Sequence, residues 1–256
     1  MFNIFKLFNN KKTKQSPDPT EIMEVLKPFG KTAWVPIIDQ NNSTCYSSKF
    51  SGIPALLKSE EWPQCKNCHE PMQLFLQLNS NHLPVEAKNP FGVGILQVFY
   101  CVNTDAHCEV ECEAFFPFSK STLVRVLRNA PDDLVAPQTS PVKNSYQEKS
   151  ITGWSEKTDY PNWEELPGLG CILTEEQADL MDEFGLNLTK DKLLGWPFWV
   201  QGVEYPDCPE CGKRMQFIFQ IDSEDNLPFM FGDVGCSHIT QCAEHREQLT
   251  IAWACC

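Results

Sequence analysis

The sequence predicts an α+β protein, mainly β, in which an antiparallel unit carrying a Cys-x-x-Cys knuckle occurs twice, the copies related by a pseudo-two-fold. Three observations predict it. First, the thirty residues from Lys49 register without a gap on the thirty from Lys192, with ten identities: Lys, Gly, Pro, Glu, Pro, Cys, Cys, Met, Gln and Gln. Second, each knuckle (Cys65 and Cys68, then Cys208 and Cys211) runs straight into an alternating apolar segment, the period of a half-buried strand. Third, only two segments carry helix punctuation.

In chain order, residues 1–18 are Lys-rich and then Pro-rich and read as a disordered tail. A short helix follows, with Asp18 or Thr20 as cap, Glu21 and Glu24 in its first turns, and Pro28 and Gly30 beyond its end; Ile22, Val25 and Leu26 form its apolar face. Residues 34–38 read as a strand that Pro36 confines to an edge. After the first knuckle, Met72, Leu74, Leu76 and Leu78 share one face of a strand, with Gln73, Phe75 and Gln77 on the other. Residues 95–101 form a second strand, and 115–128 are strand-like. Residues 129–150, with three prolines, read as a surface loop between the halves. The clearest helix spans 173–185, where Thr174 and Gln177 make a capping box and Gly185 ends the helix. In the second copy Met215, Phe217, Phe219 and Ile221 share a face. Phe231-Gly-Asp-Val-Gly235 echoes Phe91-Gly-Val-Gly94, and the last strand, 249–255, is matched to 95–101. The units are therefore drawn as 19–150 and 151–256, sharing one compact body.

Composition narrows the function. No apolar run approaches the ~18–20 residues of a membrane span. The N-terminus places its apolar residues before its charge, the reverse of a signal peptide, so a cytoplasmic location is expected. Thirteen cysteines in such a compartment point to metal rather than disulfides. A net charge of −13 argues against a nucleic-acid backbone as ligand and suits a basic protein partner, although solubility alone also explains it.

Two cysteines three apart let one tight turn offer two thiolates to a tetrahedral ion. If the strands flanking residues 79–94 pair antiparallel, Cys101 falls beside Met72 and adds a third ligand near Cys65 and Cys68. Cys108 and Cys112 compete for the fourth place, Cys108 being nearer the strand end. In the second half Cys208, Cys211 and the strand-terminal Cys255 make the matching three. The fourth comes from Cys236, Cys242 or His245, with Cys242 favoured. Two structural Zn2+ ions are expected, because four protein ligands leave no place for a water nucleophile.

Other residues carry less chemistry. Gln73, Gln77, Gln216 and Gln220 either line a polar groove or bond loops of their own unit, and the second reading is preferred. Trp62, Trp196, Trp199 and Tyr205 read as core around the knuckles. No hydrolase, metalloprotease or phosphate-loop motif is present, and no catalytic constellation stands out.

Ser48-Lys-Phe-Ser-Gly-Ile-Pro54, Trp62-Pro63, residues 72–78 and the tail Gly232-Asp-Val-Gly-Cys-Ser-His-Ile-Thr-Gln-Cys-Ala-Glu-His245 with Ile251-Ala-Trp-Ala-Cys255 resemble the YwqG-like domain of unknown function, in a zinc-binding variant. More remotely they resemble the duplicated domain of programmed-cell-death-two proteins and their ribosome-assembly relatives. The resemblance covers roughly 45–128 and 190–256. It implies a β-rich fold of two related halves, protein–protein contacts, and no established enzymatic activity. Relatives chaperone a ribosomal protein or lie in toxin-immunity neighbourhoods. Ser51-Gly52 departs from the family's usual Gly-Gly pair. A non-enzymatic, zinc-stabilised module for a protein client follows as the expected function. A metal-assisted hydrolase and a metal-free binder of a small ligand are its alternatives.

Overall fold

A computed structural model describes residues 19–39, 44–128 and 131–255. The expected disordered tail at 1–18 lies outside them. The strands are β1 (Lys31–Asp39), β2 (Lys49–Phe50), β3 (Leu56–Leu57), β4 (Gln73–Asn79), β5 (Ile95–Tyr100), β6 (Thr122–Leu127), β7 (Leu134–Val135), β8 (Lys149–Asp159), β9 (Lys192–Leu194), β10 (Gln216–Asp222), β11 (Cys236–Gln241) and β12 (Leu249–Ala254). Among the described residues three α-helices join them: α1 (Pro19–Leu26), α2 (Cys108–Glu111) and α3 (Glu175–Glu183). The chain is thus mainly β.

Ten strands form one antiparallel sheet in the order β12-β11-β10-β9-β1-β8-β2-β4-β5-β6, while β3 and β7 pair separately. The sheet nearly closes on itself. Its end strands approach, and the chain after α2 stitches them: the Trp253 N–H donates to the Phe115 carbonyl at 3.1 Å, and the Phe118 N–H to Thr250 Oγ1 at 2.6 Å. The enclosed core draws on both halves, with Phe50, Phe75 and Tyr100 meeting Phe219, Phe231 and Trp253. Phe75 stacks on Tyr100 at 4.9 Å, and the Tyr100 hydroxyl accepts from Trp253 Nε1 at 3.0 Å. Each such ring contributes about 2–3 kcal/mol to that core by burial.

Several expectations are corrected. Pro36 does not make β1 an edge strand, since β1 lies mid-sheet. It pairs with β8 along its length but with β9 only at Ala33 and Trp34, so Pro36 sits where one flank is unpaired. β8 falls partly in the expected loop. Its exposed residues give it little apolar pattern, and pairing with β1 and β2 holds it. The alternation in β4 switches faces at a bulge between Leu74 and Leu76, which puts Met72 and Leu74 against the cysteines and Phe75, Leu76 and Leu78 into the shared core. β10 bulges at the matching place, between Phe217 and Phe219. In α1, Ile22 and Leu26 are buried but Val25 is exposed. The capping box of Thr174 and Gln177 is present.

Matched positions also make matched bonds. Gln77 Nε2 donates to the Cys45 and Ser47 carbonyls and its Oε1 accepts from the Ala55 N–H. Gln220 Nε2 donates to the Leu188, Thr189 and Lys190 carbonyls and its Oε1 accepts from the Phe198 N–H. Buried Lys49 meets Glu148, and buried Lys192 meets Asp159, each at 2.9 Å. Gln77 and Gln220 therefore brace loops of their own half.

Candidate metal centres

Each knuckle is a small hairpin. In the first, Gln64 bridges Pro71, the Cys65 N–H donates to the Glu70 carbonyl, and the His69 N–H returns to the Cys65 carbonyl. In the second, Asp207 bridges Arg214, the Cys208 N–H donates to Lys213, and the Gly212 N–H returns to Cys208. His69 (φ 60°) and Gly212 (φ 66°) occupy the same left-handed position, which glycine takes at no cost and histidine at about 1 kcal/mol. This geometry points both thiols of a knuckle to one side.

The third group comes from strand pairing. Gln73 pairs with Tyr100, so Cys101 follows opposite Met72. Gln216 pairs with Gln241, so Cys242 follows opposite Met215. The strand matching β5 is thus β11, and the earlier assignment of 249–255 to that place is corrected. Cys255 follows β12, against Gly232 and Trp253, and is not in the second knuckle's group. Cys236 opens β11, buried and paired with Ala254.

The fourth group differs. In the first half Cys108 opens α2, and Asn67 Nδ2 donates to its sulfur at 3.4 Å. Cys112, after that helix, stays outside. In the second half His245, three residues beyond Cys242, turns Nδ1 inward, 3.6 Å from Cys208 Sγ and 3.8 Å from Cys242 Sγ. The group of four there is Cys208, Cys211, Cys242 and His245, with His245 standing where Cys255 was expected. The first is Cys65, Cys68, Cys101 and Cys108.

The ligand atoms of each group lie within 4.8 Å of one another. Sulfurs about 2.3 Å from a tetrahedral ion stand about 3.8 Å apart, and a sulfur and an imidazole nitrogen about 3.5 Å. Here Cys65 and Cys108 are 3.8 Å apart, and the Cys68–Cys101 and Cys211–Cys242 pairs 3.7 Å. Disulfides need about 2.05 Å, and all twelve described cysteines are free. The residues fit a zinc-sized cation.

The electrostatics agree. The backbone N–H of His245, 3.3 Å from Cys242 Sγ, draws that thiol down to about 6. Burial pushes Cys68 up, but the Glu70 N–H, Asn103 and neighbouring thiols outweigh it and leave it at about 7. Burial pushes Cys101 up and Cys108 up to about 11, against Asn67. Four crowded thiols cannot all ionise unless a cation neutralises them, so binding would release protons. Around His245, Nε2 faces Glu210 Oε2 at 3.4 Å, and Glu210 Oε1 accepts from Gln248 Nε2 at 2.6 Å. That carboxylate fixes the ring so that Nδ1 points to the sulfurs.

Comparison with known proteins adds a family. A family model described as a domain of unknown function, DUF1963, matches residues 48–244. The uncharacterized protein YpfL of Salmonella typhimurium is 31% identical over 83 residues, which cover 25% of this chain and 20% of that protein's length.

Proposed function

We propose, starting from a chain that belongs to the DUF1963 family, that this protein is a zinc-pinned, non-enzymatic module that binds a protein client in the cytoplasm. The observation that carries it is the pair of four-ligand groups at tetrahedral spacing, each at the foot of a knuckle and the end of its neighbouring strand. With every coordination place held by the chain, zinc does structural work and activates no water. The matched bonds of Gln77 with Gln220, and of Lys49 with Lys192, support an internal duplication with a pseudo-two-fold. The YwqG-like likeness, and the remoter one to programmed-cell-death-two proteins, is part of the same proposal. So is a basic client of ribosomal-protein or toxin type, suited to a net charge of −13.

One observation favours the hydrolase alternative: the His245 side chain is 35% exposed, so it is the ligand that could yield a place to water. Metal analysis of protein purified without added zinc decides the first point, with about two equivalents expected and none fatal to the reading. His245→Cys then separates the two functions. A zinc scaffold keeps its metal, fold and client in this variant, whereas a hydrolase loses its open place and its activity.

A further inference from the structure

The two halves differ where β2 and β9 end. In the first half the place is sewn shut around Ser51. Its N–H donates to the Phe75 carbonyl at 3.1 Å, and its hydroxyl donates to the Tyr146 carbonyl and accepts from Gln73 Nε2, each at 2.9 Å. Gln73 Oε1 accepts from the Tyr146 N–H at 3.3 Å, and Gln73 is fully buried. In the matched register Ser51 becomes Leu194 and Gln73 becomes Gln216. Leucine offers no hydroxyl. Gln216 is exposed, and among the described residues nothing bonds its side-chain amide.

The result is a slot one strand wide. β9 pairs only with Ala33 and Trp34 on one side and Phe219 and Gln220 on the other. Beyond its end, Lys31 and Thr32 of β1 face 216–218 of β10 across a cleft of about 680 Å³. Each of those segments is paired only on its far side, with β8 and β11. Leu194 and Gly195 close one end of the slot, while Glu86 and Pro90 of the first half stand beside it. Two cations are held in place there. Lys31 Nζ lies 3.1 Å above the Trp196 ring, and the Arg214 guanidinium 3.4 Å above Tyr205. Glu165, buried, pairs with Arg214 at 3.2 Å and also accepts from Trp199 Nε1 and Tyr205 Oη, which leaves Lys31 with no carboxylate in ion-pair contact among the described residues.

We infer that this slot binds the extended C-terminal segment of the client protein, entering as a strand between β1 and β10, with its terminal carboxylate on Lys31. Three features select that occupant. The free backbone edges want a strand, the exposed Gln216 amide offers the bonds that Gln73 spends on Tyr146, and the blind end demands a chain terminus. The Lys31 ammonium, held over Trp196 just past that end, favours a negative one. With its carboxylate at the blind end the segment runs parallel to both neighbours. The inference rests on the protein-binding reading above.

The test uses the full-length, zinc-loaded chain on an array of random hexapeptides tethered by their N-termini, with free or amidated C-termini. Binding is expected on free carboxylates and about tenfold weaker on amides. Lys31→Ala should weaken it about tenfold, and Thr32→Trp, which fills the slot and removes no bond, should abolish it. Both variants are checked for unchanged circular dichroism and zinc content. Equal binding to amides, no binding to either array, or full binding by both well-folded variants overturns the slot. A native client held equally by wild type and by both variants overturns the slot alone. Absence of any client for the wild type overturns the binding-module reading itself.

Discussion

The two candidate metal centres share a scaffold and differ in one arm. Both take two thiols from a knuckle and a third from the residue after a paired strand. The first recruits its fourth from α2, seven residues past Cys101, and buries it completely. The second recruits an imidazole three residues past Cys242, leaves it partly in water, and props it with Glu210. The comparison teaches that hairpin and strand pairing set three corners of the tetrahedron, while the fourth is free to vary with whatever loop follows.

The sharpest way to break this comparison is to remove a shared corner. A structural zinc contributes about 10–16 kcal/mol, as much as the whole stability of an ordinary domain. Cys101→Ser and Cys242→Ser should therefore each abolish cooperative folding or leave one half molten, with zinc falling from about two equivalents to one or none. His245→Cys, which only swaps the variable arm, should keep both equivalents. Urea unfolding with metal analysis reads both outcomes. If Cys242→Ser retained its zinc, the third corner would not be a corner.

A smaller effect separates the halves at their buried lysines. Lys192 and Asp159 are both fully buried, whereas the partner of Lys49, Glu148, is 30% exposed. Lys192→Met strands a carboxylate without water and should cost about 3–5 kcal/mol. Lys49→Met lets Glu148 turn to solvent and should cost about 1–3 kcal/mol. Urea midpoints at constant zinc rank them, and equal costs would show that the exposure of Glu148 is immaterial.

All four residues of the first group were legible: three follow from local rules, a knuckle, an alternating strand, and the register that puts Cys101 opposite Met72, and Cys108 lies nearer the strand end than Cys112. The same rule misfired in the second half. Its returning strand, Cys-Ser-His-Ile-Thr-Gln, is polar, buried through hydrogen bonds rather than apolar alternation, so hydrophobic periodicity passed over it to 249–255. One signal was present, since Phe231–Gly235 echoes Phe91–Gly94 and a strand follows each at once. Placing β11 there puts Cys242 in the third corner and leaves His245 for the fourth. The bulges in β4 and β10, the interior place of β1 and the mutual pairing of β1 with β8 depend on contacts between distant segments, which no local pattern carries.

The mildest way to sharpen the comparison lies in β11 itself. His238 there matches Gln97 of β5: each faces its own half's loop after the glycine-proline turn, Gln97 Nε2 donating to the Ala55 carbonyl and His238 bonding the backbone of Phe198. Burial first, then the charge of Lys192, holds the His238 imidazole neutral down to about 3, the Phe198 bond opposing. The unfolded chain takes up that proton near 6.5. A depressed folded value means stability present above 6.5 and lost as the pH falls toward 3, by about 1.4 kcal/mol per unit. His238→Gln gives the second half the neutral side chain of the first and removes this loss. Relative to wild type, the variant should therefore gain about 1 kcal/mol between pH 6.5 and 5.5, since the full slope is reached only below that interval, read as urea midpoints with zinc content checked at both pH values. A difference that stays constant across that interval would mean that His238 takes up its proton in the fold as readily as in the unfolded chain, and that burial beside Trp199 does not exclude its charge.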